Sequence, residues 1–297
     1  MNTKTLMYIL KRIGLALLTV WIVITVTFFV MHAVPGGPFQ SEKALSEAAQ
    51  AALEKKYGLD QDLHIQYFNY LKNIVTRFDF GPSLTQIGRD VLDIVIGGMK
   101  VSAKLGLMAA GLALIVGVVL GAVAALRRNK FVDKVIMVFT TAFISMPSFI
   151  MGTFLLLLFA LQWAILPVIT LSLSPMANIT RLTRSSMLDV LGQDYIRTAR
   201  AKGVSSFKII FGHALKNSLI PVITYFGPML AYVVTGSLVV EKIFGVAGIG
   251  RHFVASITNR DYPLIMGTTI VLASLIVIMN LLSDIMYKVA DPRISLE

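Results

Sequence analysis

From Val135 to Thr180 the chain runs without a single charged side chain. A helix over that stretch would be about 69 Å long, roughly twice the ~30 Å hydrocarbon core of a bilayer. Soluble folds do not hide such a run, because their surface must still face water. Four more uncharged stretches, each about long enough for one crossing, lie at Ile13–Val34, Leu105–Leu126, Asn217–Val240 and Tyr262–Ser283. Composition agrees: 56% of residues are hydrophobic and 14% charged, against about 25% charged in soluble domains.

Pro147, Pro167 and Pro175 punctuate the long run, and a tight turn at Gln162–Leu166 divides it into two helices. Six transmembrane helices are therefore expected, in an all-α integral membrane protein. Closed β-barrels show alternating strands of about 10 residues and no such runs. The first stretch competes with a secretory signal. It is longer than a signal's apolar region and leads into Pro35-Gly36-Gly37-Pro38 rather than a small-x-small cleavage site.

Basic residues set the orientation. Lys4, Lys11 and Arg12 precede the first span, and Arg127, Arg128, Lys130 and Lys134 lie between the second and third. Arg181, Arg184, Arg197, Arg200, Lys202, Lys208 and Lys216 lie between the fourth and fifth. With six spans these loops share one side, which the positive-inside rule makes cytoplasmic, with both termini. The formal charge of +11 is thereby accounted for without nucleic acid. Without cysteine there is no disulfide or thiolate nucleophile.

The expected organisation is an N-terminus and first helix over 1–34 and an external helical segment over 35–100. A five-helix core follows over 101–289, with a cytoplasmic loop at 181–216, then a cytoplasmic C-terminus over 290–297. In the external segment, Ser41–Tyr57 is rich in helix formers. Leu63–Phe80, with Tyr67, Phe68, Tyr70 and Leu71, has an amphipathic pattern. The pair is read as a small helical cap, with a solvated surface pair as the alternative.

Arg181–Pro221 is too long for a simple connection. Met187–Leu191 and Phe207–Leu215 carry apolar residues at helical spacing, and Gly192 and Gly203 stand where helices can break. Short helices joined at Gly203 are expected. They serve either as an interfacial anchor on anionic lipid or as a docking surface for a cytoplasmic partner.

Tyr195-Ile196-Arg197-Thr198-Ala199-Arg200-Ala201-Lys202-Gly203, followed by His213-Ala214-Leu215-Lys216-Asn217 and Ile220-Pro221-Val222, resembles the signature loop of the dipeptide/oligopeptide permeases. These are membrane subunits of bacterial ABC importers with the type I permease architecture. Ala199, Gly203 and Leu215 match the wider importer pattern Glu-Ala-Ala-x3-Gly-x9-Ile-x-Leu-Pro. Arg197, Thr198, His213 and Lys216 depart from it in the way typical of the peptide branch. Further landmarks run in order along the chain. They are Pro35–Phe39, Asp79–Ser83, Val101–Gly106, Phe244–Gly250, Asn259–Tyr262 and Asp291-Pro292-Arg293. The connection Leu161–Pro167 is shorter than the family's usual outer loop, and Leu84–Asp93 is also slightly short.

The resemblance implies a multi-pass protein of the bacterial cytoplasmic membrane that imports oligopeptides and forms half of the translocation pathway. Related permeases carry dipeptides, glutathione, haem or nickel chelates. The implied partners are a second homologous permease, two ATP-binding subunits, an extracellular or periplasmic peptide-binding protein and membrane lipid. This chain has no Gly-x4-Gly-Lys-Ser/Thr phosphate loop. ATP and Mg therefore belong to the partners, and no catalytic residue, cofactor or metal is expected here. The implied coupling residues are Arg197, Thr198, Ala199, Arg200, Ala201, Lys202, Gly203, Phe207, Phe211, His213 and Leu215, with Ile210 on the same apolar face.

Candidate lining of the passage comes from the polar and proline positions of the spans: Ser145, Pro147, Ser148, Pro175, Asn178, Pro221, Thr224 and Pro228. Proline frees backbone carbonyls, which membranes tolerate inside protein or along a cavity. Ordinary helix packing uses the same residue types, as does Gly117-x3-Gly121. An intramembrane enzyme would need a His-Glu-x2-His motif or clustered carboxylates, neither of which the spans carry. A stand-alone channel or secondary transporter would show charged coupling sites or internal repeats.

Overall fold

The computed structural model describes residues 3–39, 47–159 and 165–290, with side-chain surroundings for 11–39, 50–159 and 165–281. In chain order the helices are α1 (Thr3–Ala33), α2 (Glu47–Tyr57), α3 (Leu63–Arg77), α4 (Val91–Leu126), α5 (Phe131–Ser145), α6 (Ser148–Phe159) and α7 (Leu166–Leu191). After α8 (Asp194–Ala201) a π-helix covers Lys208–Leu215. Then come α9 (Lys216–Ser218), α10 (Ile220–Val234), α11 (Leu238–Ile243), α12 (Ile249–Thr258) and α13 (Tyr262–Ala290). Among the described residues the only β pairing is an isolated bridge between Pro82 and Asp90. All-helical architecture thus holds.

Among the described residues, four helices are long and apolar enough to cross a membrane: Lys11–Ala33, Val91–Leu126, Ile220–Ile243 and Tyr262–Leu281. A fifth candidate is the pair α5 and α6, bent by 111°. The bend falls at Met146, whose extended backbone ends α5 because the following Pro147 disfavours helical geometry in the residue before it. The division expected at Gln162–Leu166 falls largely on 160–164, outside the described residues. α7 carries the fourth expected span and continues through Arg181 and Arg184 to Leu191. α4 begins at Val91, well before Leu105, because Asp93, Lys100 and Lys104 interrupt the apolar run without interrupting the helix. At 36 residues it is about 54 Å long and outreaches a hydrocarbon core.

The chain divides into two compact units, Met1–Val101 with Ala247–Leu275, and Ser102–Val246 with Ile276–Glu297. Where hydropathy groups 101–289 together, the structure gathers 247–275 into the first unit. That unit's core joins Ile24 and Phe28 of α1, Tyr67 of α3, Ile94 and Val95 of α4, and Met266 of α13. The amphipathic helix expected over Leu63–Phe80 is α3. Its Tyr67 packs edge-on against Phe28 and shares a 2.7 Å hydrogen bond with the Thr25 hydroxyl. Phe68, on the expected apolar face, is instead exposed.

Three sequence landmarks meet in this unit. Arg260 donates to the Pro35 carbonyl at 2.8 Å, and the Tyr262 hydroxyl to the Gly36 carbonyl at 3.3 Å. Gly36 sits at φ +100°, and a Cβ there would lie 1.7 Å from Arg260 Nη1. Asp261 is fully buried at the start of α13. Its carboxylate accepts from the Ser83 and Thr85 hydroxyls, the backbone N–H groups of Leu84 and Thr85, and the N–H of Leu264. That last bond caps α13, and the others hold the 83–85 turn against it.

In the second unit α7 is the central rod, with α5, α6 and α10 packed on it. Between apolar helices in lipid the drive is close packing rather than escape from water. Gly117 and Gly121 of α4 let α7 approach so near that a Cβ at Gly121 would meet the Thr180 carbonyl oxygen at 2.6 Å. The Gly117-x3-Gly121 pair is therefore a contact device. Asp284 and Lys288 lie in α13, but their side chains are outside the described residues, as are Gln162, Trp163, Ser41 and Asp291-Pro292-Arg293.

Candidate functional site

The 194–218 segment folds as α8 and, beyond a left-handed turn, the π-helix running straight into α9. α8 ends at Ala201, and Gly203 takes φ +75°. Its N–H reaches the Arg200 carbonyl at 3.0 Å and that of Val204 reaches Ala199 at 3.1 Å. This pair of bonds is a Schellman ending, which satisfies the last carbonyls of α8. Nothing lies within 4 Å of a Cβ built on Gly203. Glycine is needed there for its backbone conformation and not for space.

The residues then divide into an anchored set and a presented set. Ile196 of α8 and Ala214 of the π-helix are fully buried, and Ile209 is nearly so. Ala214 packs with Ala125 of α4 and Met187 of α7 in one cluster, against which Ile210, Leu188 and Leu191 also pack. The loop is thus fixed to the ends of two long helices. Asn217 donates to the Tyr195 hydroxyl at 3.1 Å and ties the segment's two ends together.

On the other side Phe207 and Phe211 are 72% and 55% exposed, their ring centroids 4.6 Å apart. Arg197, Arg200, Lys202, Lys208 and Lys216 are exposed on the same segment. The Arg197–Asp194 contact of 3.5 Å is fully in solvent and holds nothing in place. Thr198 bonds back to the Asp194 carbonyl within α8. Ala199, His213 and Leu215 are half-buried and Ala201 is exposed. The apolar face expected over Phe207, Ile210, Phe211 and Leu215 is therefore split. Ile210 faces inward, the two phenylalanines outward.

Hydropathy passes over one pair. Asp133, in the first turn of α5, is 2% exposed. Its oxygens take two parallel bonds from Arg184 of α7, Nε at 2.6 Å and Nη2 at 2.8 Å. A third comes from the Asn129 N–H at 2.8 Å. The only signal in the sequence is a lone acid among Arg127, Arg128, Lys130 and Lys134.

The candidate lining residues differ widely in exposure. Ser145, Pro147 and Ser148 are exposed at the α5–α6 bend, and Pro221 is exposed in the first turn of α10. Pro175 is buried within α7. Asn178, Thr224 and Pro228 are half-buried. Asn178 bonds the Ser174 carbonyl within α7 and also meets the Tyr225 hydroxyl of α10, while Thr224 bonds the Ile220 carbonyl within α10. No cluster of side chains suited to a metal occurs among the described residues.

Residues 117–296 match the family described as binding-protein-dependent transport system inner membrane component, and residues 5–87 match that family's N-terminal component. The chain is 47% identical over 302 residues to the dipeptide transport system permease protein DppB of Bacillus subtilis, covering 97% of this chain and 98% of that one. It is 43% identical to the oligopeptide transport system permease protein OppB of Salmonella typhimurium, over 97% and 99%. It is 41% identical to DppB of Lactococcus lactis, with the same coverage.

The chain belongs to the dipeptide and oligopeptide permease family. As such a permease it is a multi-pass component of the bacterial inner membrane, working with ATPase and substrate-binding components of an ABC importer. The landmarks that carried the resemblance have physical work in the permease. Pro35-Gly36 and Arg260-Asp261-Tyr262 interlock, Asp79–Ser83 leads into the turn that Asp261 holds, and Gly203 ends α8.

Proposed function

We propose that this permease forms half of a translocation pathway for short peptides, and that Phe207 and Phe211 with the surrounding bases dock on a cytoplasmic ATPase. What supports the docking surface is the division of the 194–218 segment. Its buried side chains fix it to α4 and α7, while its largest apolar side chains and five bases are left to solvent. An exposed aromatic pair is costly in water and is the kind of anchor that dominates interfaces. Bases around it suit a partner carrying acidic groups.

The proposed assembly contains this chain, a second related permease, two ATP-binding subunits that bind ATP and Mg, and an external peptide-binding protein. ATP hydrolysis lies wholly on the partners. Six spans with cytoplasmic termini put the basic 127–134 and 181–216 loops on the ATPase side. Closure of the ATPases displaces α8 and the π-helix, and the Ala214–Met187 packing carries that motion into α7. The membrane helices then exchange between two arrangements. Relatives named for dipeptides and for oligopeptides match at 47% and 43% identity, so the proposed cargo is peptides of either length. Exposure of Ser145, Pro147, Ser148 and Pro221 supports these four as lining.

The test is purification of the tagged permease from its native membrane in mild detergent. Wild type should bring down both ATPases and a second permease. Phe207→Ala/Phe211→Ala should lose the ATPases yet keep the second permease, because both rings are outside the core. A chain recovered alone, with conductance or turnover of its own, would overturn the reading. ATPases retained by the double variant, with vesicle binding lost instead, would make the segment a lipid anchor.

A further inference from the structure

The first unit holds a cavity of about 470 Å³ between the end of α1, the α2–α3 connection, the 79–84 turn and the start of α13. Its size falls within the range of small-ligand sites, which run from about 300 to 1,000 Å³. Two polar atoms in its wall are buried without a partner, His32 Nε2 and the Tyr70 hydroxyl. Buried polar atoms are rarely left so, and each unpaired one asks for an explanation. His32 is oriented by its other nitrogen, Nδ1, which lies 2.8 Å from the Phe28 carbonyl. Burial, and after it the Asp79 charge, push Tyr70 ionisation far upward, so the phenol keeps its proton.

The remaining wall has a definite chemistry. Lys55 and Lys56 supply positive charge and Asp79 negative charge, while the Asn73 side chain is exposed at the rim. Phe28 and Tyr262 give an aromatic floor. Opposite charges at one cavity suit a zwitterion, carboxamides suit amide groups, and an aromatic floor accepts an apolar side chain.

We propose that this cavity is a binding site for a short zwitterionic peptide, one of two or three residues. The proposal rests on the peptide-importer reading and adds to it a peptide site on the permease itself, held within the first unit. Asp79 and the two lysines receive the termini, and the Tyr70 hydroxyl donates to a peptide carbonyl.

The test uses the whole importer complex in lipid nanodiscs, without binding protein, and a dipeptide carrying benzoylphenylalanine. Illumination should label fragments spanning residues 55–82, with competition by unlabelled dipeptide. N-acetylation plus C-terminal amidation of the probe should weaken labelling about tenfold, the scale of lost charged hydrogen bonds. Asn73→Trp, which fills the rim from an exposed position, should abolish it while the complex still assembles. Tyr70→Phe should weaken it several-fold. No labelling of 55–82, labelling indifferent to the charged termini, or labelling unchanged in Asn73→Trp would overturn the site. Binding-protein-driven import by the same preparation tells that failure apart from failure of the importer reading.

Discussion

Arg184 grips Asp133 with the Nε–Nη2 edge of its guanidinium, joining the first turn of α5 to the last third of the rod formed by α7. Two parallel bonds to one carboxylate are a geometry that lysine cannot reproduce. The acid is nearly inaccessible and the base about a quarter exposed. Asp133→Ala should cost about 2–3 kcal/mol, below the 3–5 of a fully buried pair. Arg184→Lys should recover only part of the pair's worth. A double-mutant cycle on thermal unfolding in detergent checks both, and additivity of the single variants would show that the pair is idle.

Gly203 offers a cleaner perturbation, because space around it is empty. Gly203→Ala should cost about 1–2 kcal/mol through the left-handed backbone alone. Gly203→Asn should cost less, since asparagine tolerates that conformation. The same order should appear in binding-protein-stimulated ATP hydrolysis. Equal behaviour of the two variants would mean that the turn does not set the loop's geometry.

At Gly36 both kinds of constraint act together. Its backbone is left-handed, and an added methyl would overlap the Arg260 guanidinium. Gly36→Ala should therefore be worse than Gly203→Ala by about 1 kcal/mol or more, through loss of the bond to Pro35. Adding Arg260→Ala to it should cost little further, since that bond is already broken. Full additivity in heat-unfolding midpoints would contradict the clash.

His252 of α12 is half-buried, and burial, then the charges of Arg89 and Arg251, lower its proton affinity. The folded state thus prefers neutral imidazole. Its stability is complete above the ordinary histidine value of about 6.5 and declines as pH falls through the lowered one. Unfolding midpoints measured from pH 7.5 to 5 should drop less in His252→Gln. An identical slope in both proteins would remove His252 as the cause.

Hydropathy made the long elements legible, because a chain in lipid must satisfy its backbone internally and show apolar side chains over whole helices. It was blind to where they break. The bend at Met146 follows from Pro147, a local rule, whereas Pro147, Pro167 and Pro175 were read together as marking one division at Gln162–Leu166. It also grouped α12 and the start of α13 with the spanning core, whereas Asp261 ties them to Ser83 and Thr85 far away in sequence. The 194–218 segment was readable as short helices about Gly203. That Ile210 turns inward and Phe207 outward depends on a π-helix, whose wider winding moves side chains off the 3.6-residue period. Charge counting used Arg184 only to orient the chain, and its bond with Asp133, 51 residues away, is a tertiary fact.

Pro175 lies inside α7 and cannot donate to the Leu171 carbonyl. One rung is therefore missing from an otherwise unbroken rod, with the α8 attachment some 24 Å further along it. Such a rod is a lever with a built-in hinge. A flex of only ten degrees at the proline swings the attached end through about 4 Å, and a shift of that size at α8 bends the rod in return. In the proposed docking of α8, the missing rung lowers the cost of moving that end, which is then set by whatever holds α7 on either side of residue 175.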